Sequence, residues 1–272
     1  MQYHQFAAHQ FQDLETAEFN IYDYSRLKFG CNLSAHSMGK ELAGRFYKEY
    51  SAKLLCGNFV LIPSPYSHVE NAATIMSYAF LDELNRLLVE GNGHHVEFDT
   101  IRRKSQYLQD YGKLPKEVRE GMLDNDEFYL NEKFLKDKSL IFLDDVIITG
   151  THEWKLKEIL QDEGMENECF FVYYAQYLGE RAEIEGELNF QAISDVRDFA
   201  DIVSKSTSSI VVRTLKYLLS IDIKKDEEFE GLLYIFGYEK SRDIYFAALG
   251  EGYYKIPAYQ KNLERIKKFI EL

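Results

Sequence analysis

The chain has 272 residues, 46% of them hydrophobic and 15% aromatic, enough apolar surface for a sizeable core without disulfide or metal staples. Its formal net charge of -13 argues against a general nucleic-acid or anionic-membrane binder, because phosphate backbones are held by clustered Lys and Arg. A site for a small polyanion must then be locally positive or carry a metal. The three cysteines, Cys31, Cys56 and Cys169, are odd in number, lack metal-ligand spacing and read as reduced thiols. Met1 to Phe6 has no basic start followed by an apolar stretch, and no apolar run approaches the ~20 residues that span a bilayer. The expected setting is the cytoplasm.

In chain order, helical periodicity runs from about Ser37 to Tyr50, where Met38, Leu42, Phe46 and Tyr50 share one buried face. Phe59-Val60-Leu61-Ile62 is short, apolar and ended by Pro63-Ser64-Pro65, which predicts a buried strand leading into a restricted loop. A helix follows, with Asn71 as its cap, Met76, Phe80, Leu84 and Leu87 on its apolar face, and Gly91 as a left-handed stop. His94-His95 is adjacent rather than spaced i, i+4, and reads as a turn rather than a metal site. Thr100 to Tyr129 is a polar, charged excursion with one short helix predicted at Lys116 to Met122.

A second strand, turn and helix unit then repeats the order. Leu140 to Leu143 is the strand, Asp144 to Thr151 the turn, Trp154 to Gln161 the helix and Gly164 its stop; Cys169 to Ala175 is the next strand. Trp154 is expected to pack onto the sheet. From Asp195 the pattern turns helical through Ile202, Ile210, Val211, Leu215, Leu218 and Leu219. Weakly ordered acidic sequence follows around Asp226-Glu227-Glu228, and a short amphipathic helix spans Leu263 to Ile270. Buried strands alternating with helices define an α/β fold with a parallel sheet flanked by helices, and a mostly helical C-terminal appendage. The expected division is 1–194 and 195–272, with no linker to mark it.

The chemistry concentrates at Asp144. Two adjacent carboxylates at the end of a buried strand are costly to keep charged unless a cation, metal or hydroxyl donor answers them. Thr149-Gly150-Thr151-His152 then opens a helix, where successive backbone N–H groups and the helix dipole converge on an anion. Either half alone would be an ordinary cap or turn. Together they suit a sugar phosphate, with hydroxyls on the acids and phosphate on the amides. A phosphate-loop NTPase is excluded, since no Gly-Lys-Ser/Thr follows a Gly-rich loop. A haloacid dehalogenase would need an acid at the position of Val146. Tyr66, Tyr173, Tyr174 and Tyr177 could stack on a base, but in a chain with 20 tyrosines packing explains them equally well.

The segment Leu140 to Thr151 resembles the phosphoribosyl-pyrophosphate motif of type I phosphoribosyltransferases. Tyr24 to Gly30, Gly39 to Ala43, Ile62 to Pro65, Arg103 to Gln106 and Arg119 resemble the ComF-like branch, including a subgroup found near tellurite-resistance and stress operons. The resemblance covers about Ile21 to Gly179. It implies phosphoribosyl pyrophosphate as substrate, Asp144 and Asp145 on the ribose hydroxyls, and Thr149, Gly150, Thr151 and His152 around the 5-phosphate. It further implies a pyrophosphate loop at Ser64, Pro65, Tyr66 and Ser67, and a closing loop with Arg102, Arg103 and Lys104. Magnesium would be held mainly by substrate and water, with Asp144 or Asp145 as its protein contact. The acceptor would be a base or nucleotide-like small molecule, and a homodimer is compatible with the branch. Departures are Ile148 and His152 where the family commonly has hydroxyl residues, and a Ser64 loop without the branch's Gly and Arg. They leave a second reading, a sensor that binds the same ligand without turnover.

Overall fold

The computed structural model describes residues 2–103 and 128–271. In chain order its first part is β1 (Gln2–Phe11), α1 (Ile21–Lys28), α2 (Asn32–Leu54), β2 (Phe59–Pro63), α3 (Ala72–Glu90), β3 (Glu97–Phe98) and β4 (Arg102–Arg103). After residue 127 come β5 (Phe128–Tyr129), α4 (Glu132–Leu135), β6 (Ser139–Ile147), α5 (Thr151–Asp162) and β7 (Glu168–Tyr177). The chain ends in helices: α6 (Ile184–Asn189), α7 (Val196–Val203), α8 (Val212–Ser220), α9 (Asp226–Phe236), α10 (Tyr238–Gly250) and α11 (Pro257–Ile270).

Five strands form a parallel sheet in the order β1-β7-β6-β2-β3, with β6 at its centre. Strand side chains alternate between faces. Leu61, Ile141, Leu143, Phe170 and Val172 thus pack with α2 and α3, through Leu42, Phe46, Met76 and Phe80. Val60, Ile62, Leu140, Phe142 and Phe171 pack on the opposite face with Leu160 of α5. The predicted two-sided coverage of a parallel sheet is what the chain adopts.

Several boundaries differ from expectation, each for a local reason. Strand β6 continues through the acids to Ile147, because Asp144, Val146 and Ile147 still pair with β7. Gly91 caps α3 with φ -84, and the left-handed residue is Asn92 at φ 60; Gly164 does stop α5 at φ 63. Leu88 rather than Leu87 completes the fully buried stripe of α3. Trp154 is 53% exposed, and its neighbour Glu153 turns inward instead. Asp226-Glu227-Glu228 is not weakly ordered: it is the first turn of α9, where acids complement the helix dipole. The helix predicted at Lys116 to Met122 lies outside the described residues.

Strand β1 was not legible, since its glutamines and histidines hide an edge strand's pattern. It is secured by Glu168 at the start of β7, whose carboxylate accepts from His4 Nε2 at 2.8 Å and pairs with Lys53 of α2. The C-terminal helices enclose a core of their own around Phe199, Leu215, Leu218, Phe229, Leu233 and Ile266, into which Phe29 and Val69 reach from the sheet half.

Helices α2 and α3 cross closely at Gly39: a Cβ there would lie 2.5 Å from the Met76 carbonyl oxygen and 2.9 Å from the Phe80 nitrogen. Gly44, five residues on in the same helix, meets nothing within 4 Å. Replacing a helical Gly by Ala gains about 1 kcal/mol of propensity, whereas forcing backbone apart costs about 1–3 kcal/mol. Gly39→Ala should therefore lower the denaturation midpoint and Gly44→Ala raise it; equal shifts in a denaturant titration would refute the close crossing.

Glu168 also sets a pH dependence. Burial works to raise its carboxyl, but Lys53 and His4 outweigh it and hold it below the usual glutamate value. Its contribution to stability is full above the unfolded pKa of about 4.3 and is lost as pH falls through the lower folded value. Glu168→Gln should flatten the acid limb of the stability curve in that window, read by acid titration of the unfolding midpoint.

Candidate active site

Strands β2 and β6 are neighbours, but the helices after them cover opposite faces, α3 with one core and α5 with the other. Their chains part at the carboxyl ends, and such a topological switch point opens a crevice. A cleft of about 180 Å³ lies there, lined from β2 and α3 by Ser64, Asn71, Ala72 and Ala73 and from β6 and α5 by residues 144–153.

Alternation along β6 sends the two acids to opposite faces. Asp144 follows Phe142 toward α5, and its Oδ2 lies 3.7 Å from His152 Nδ1. Burial pushes its carboxyl above the usual aspartate range, with His152 opposing and Asp145 reinforcing that push. Asp145 follows Leu143 to the other face and is 4% exposed. There it forms an ion pair with the Lys28 ammonium, from the last turn of α1. Burial acts to raise Asp145, and the lysine overrides it, keeping the group below the ordinary value and charged. The Tyr24 hydroxyl beside them is fully buried, and burial, reinforced by Asp145, drives it well above the phenol range.

Beyond Ile147 the chain turns through Gly150, whose φ of +72 is left-handed, into α5. Glycine is required there by conformation, since a Cβ would have room: its nearest neighbour is Ile147 Cδ1 at 3.9 Å. The N–H groups of Thr151, His152 and Glu153 have no carbonyl within the helix to bond, and they border the cleft. Thr149 and Thr151 hydroxyls bond each other at 2.8 Å across the turn. On the facing wall, Asn71 caps α3: its side chain accepts from Thr74 N at 2.9 Å and donates to the Ser64 carbonyl at 3.0 Å. Two helix N-termini thus face one cleft.

Of the residues singled out in the sequence, Asp144, Asp145, Thr149, Gly150, Thr151, His152 and Ser64 meet in this cleft. Pro65, Tyr66 and Ser67 do not line it. Their loop is engaged by β4, where the Arg102 guanidinium lies 5.0 Å from the Tyr66 ring centroid and donates to the Ser67 carbonyl at 3.5 Å. Arg102 is therefore held on the loop rather than over the acids. Arg103 contributes backbone pairing to Phe128, and Lys104 lies outside the described residues. Tyr173 also lines the cleft, with its hydroxyl donating to Glu153 at 2.9 Å, whereas Tyr174 does not line it and donates to Glu41 at 3.0 Å.

Lys28, Glu153 and Glu185 also line the cleft and were missed. Lys28 sits in the stretch Tyr24 to Gly30, but a lysine in a last helical turn reads from sequence as a solvated complement to the dipole. Among the described residues no group of three or more His, Cys, Asp or Glu could hold a metal by itself. No described helix is long and apolar enough to cross a membrane.

A central parallel strand that carries paired acids near its carboxyl end, followed by a glycine turn and a helix N-terminus, fits the fold of a type I phosphoribosyltransferase. The family model described as PRTase ComF-like matches residues 3–266, and the chain belongs to that family, whose general chemistry is phosphoribosyl transfer. Two crystal forms of a hypoxanthine phosphoribosyltransferase from Staphylococcus aureus are among the similar solved structures. The tetragonal form is 9% identical with a TM-score of 0.36, covering 52% of this chain and 73% of that one. The orthorhombic form is 8% identical with a TM-score of 0.35, covering 54% and 77%. A structure described as an alanine mutant at an invariant aspartic acid in HPRTs is 15% identical, with a TM-score of 0.32 and coverage of 54% and 79%. Scores this low carry no argument, and the family rests on its own match. No curated protein matches the chain significantly.

The ion pair yields a stability test. Lys28 and Asp145 side chains are 14% and 6% exposed, and removing one partner of such a pair costs about 3–5 kcal/mol by stranding the other charge. Lys28→Met should lose that much by denaturant titration, and Lys28→Met combined with Asp145→Asn should recover most of it. A double variant as unstable as the single would show that the two charges do not answer each other.

Proposed function

We propose that the cleft binds phosphoribosyl pyrophosphate and that the protein transfers its ribose 5-phosphate to a small base or nucleotide-like acceptor, releasing pyrophosphate. The observation that carries this reading is the pair of carboxylates lying one turn before the N-terminus of α5, with the N-terminus of α3 opposite. A sugar phosphate with a second anionic group at its far end matches that spacing of acids and amides. In this reading Asp144 and Asp145 accept from the ribose 2- and 3-hydroxyls, and the amides of Thr151, His152 and Glu153 bind the 5-phosphate. Ser64 and the first turn of α3 face the leaving group. As the bond from the anomeric carbon to pyrophosphate oxygen breaks, the electron pair leaves with the pyrophosphate. The sugar takes on oxocarbenium character, and the acceptor nitrogen closes on the same carbon. Asp144, which is raised by burial and faces His152 while Lys28 is ion-paired with Asp145, is the protein group that fits magnesium; the ion would shield pyrophosphate charge when bound. We extend the proposal to 1–194 as the transfer unit, with 195–272 packed on it as a cap. A cytoplasmic setting and a role in the stress-operon context of the branch belong to the same proposal.

A second reading has its own observation. Lys28 already occupies Asp145, and the described lining residues include Asp144, Asp145, Glu153 and Glu185 against that one lysine. A sensor that holds the ribose phosphate without expelling pyrophosphate is built from the same parts. Calorimetry with phosphoribosyl pyrophosphate and magnesium, beside pyrophosphate release across a panel of bases, separates the two. Transfer predicts binding and release, with release reduced roughly 100-fold or more in Asp144→Asn. A sensor predicts binding alone. If neither phosphoribosyl pyrophosphate nor ribose 5-phosphate binds, both readings fail.

A further inference from the structure

The loop from Ser64 to Glu70 ends one wall of the cleft, yet its His68 and Val69 amides are committed elsewhere. Glu251, just after α10, is 5% exposed, and one oxygen of its carboxylate accepts from both His68 N at 2.8 Å and Val69 N at 2.6 Å. Consecutive backbone N–H groups converging on one oxygen are how loops bind anions, and here the anion is a side chain of the C-terminal helices. Two further contacts join the same surfaces. Val212 N donates to the Glu70 carbonyl at 3.2 Å. The His68 ring lies against Gly250, where a Cβ would come within 2.0 Å of it. On the sheet side, Asn71 holds the Ser64 and Pro65 carbonyls at 3.0 and 3.4 Å. The loop is therefore fastened at both ends, and only Glu251 supplies a carboxylate to its amides among the described residues.

We propose that Glu251 is a positioning residue: by binding the His68 and Val69 amides it fixes the loop so that Ser64 and the first turn of α3 face the leaving-group end of the cleft. The C-terminal helices thereby set pyrophosphate affinity without touching the ligand. This rests on the phosphoribosyl-pyrophosphate reading. It also predicts a selective defect, because ribose 5-phosphate is held at α5, away from the loop.

Calorimetry with phosphoribosyl pyrophosphate, inorganic pyrophosphate and ribose 5-phosphate, each with magnesium, tests it on the full chain. Glu251→Ala should weaken the first two roughly ten-fold or more and leave ribose 5-phosphate unchanged. Glu251→Gln keeps an acceptor oxygen for both amides and should stay near wild type. Gly250→Ala, which displaces the His68 ring from another direction, should reproduce the selective loss if Glu251→Ala does not fold. Equal affinities for all three ligands in folded Glu251→Ala and wild type would overturn the proposal, as would tighter pyrophosphate binding in the variant. So would a wild-type protein that binds ribose 5-phosphate but neither pyrophosphate ligand, a result that spares the sensor reading. Wild-type protein that binds none of the three overturns the functional reading itself.

Discussion

A carboxylate at the heart of a parallel sheet cannot stay charged without an answering group, and the site depends on how β6 meets that demand twice. Asp145 is answered from within the protein: Lys28 reaches it from α1, so the first helix of the chain is electrostatically tied to the central strand. Asp144 instead faces His152, at 3.7 Å and on the same turn that begins α5, and accepts from the Asp145 backbone N–H at 2.9 Å. The two acids are therefore unequal before any ligand arrives. One is a charged structural anchor and the other is held above its usual range by burial, ready to gain from a hydroxyl or a cation. The difference follows from strand alternation, which puts successive residues in two environments.

That inequality was beyond the sequence, although the pair itself was not. Apolar strands, the Asn71 cap, the Gly164 stop and the acid pair before Thr149-Gly150-Thr151 are local signals: each depends on residues within one turn of one another, and each is present in the structure. Lys28 and Glu251 act on partners 117 and about 180 residues away, and nothing in their immediate neighbours marks them. Strand β1 was hidden for a related reason, since an edge strand half covered by α2 needs no continuous apolar run. Trp154 shows the converse error: an aromatic residue beside a buried sheet need not pack on it when the helix turns Glu153 inward to meet Tyr173 and Lys157.

The charge of the whole chain puts these local devices in perspective. A protein of net charge -13 could not rely on its general field to bind the proposed polyanion. The described lining residues make that sharper, since they supply more carboxylates than lysines. What remains favourable to phosphate is backbone: the first turns of α3 and α5, brought face to face because the helices after two adjacent strands depart on opposite sides of the sheet. Backbone donors carry no net charge and survive the loss of hydroxyl side chains, so Ile148 and His152 can stand where the family commonly has threonine or serine. They also have to be aimed. An amide points where its loop is fastened, and here the fastening of the Ser64 to Glu70 loop is shared between Asn71 on the sheet side and Glu251 on the helical side. If the proposed reading holds, a site whose donors are mainly backbone makes its ligand preference a property of distant packing, and Glu251 gives the helices after residue 195 a part in that preference from outside the cleft.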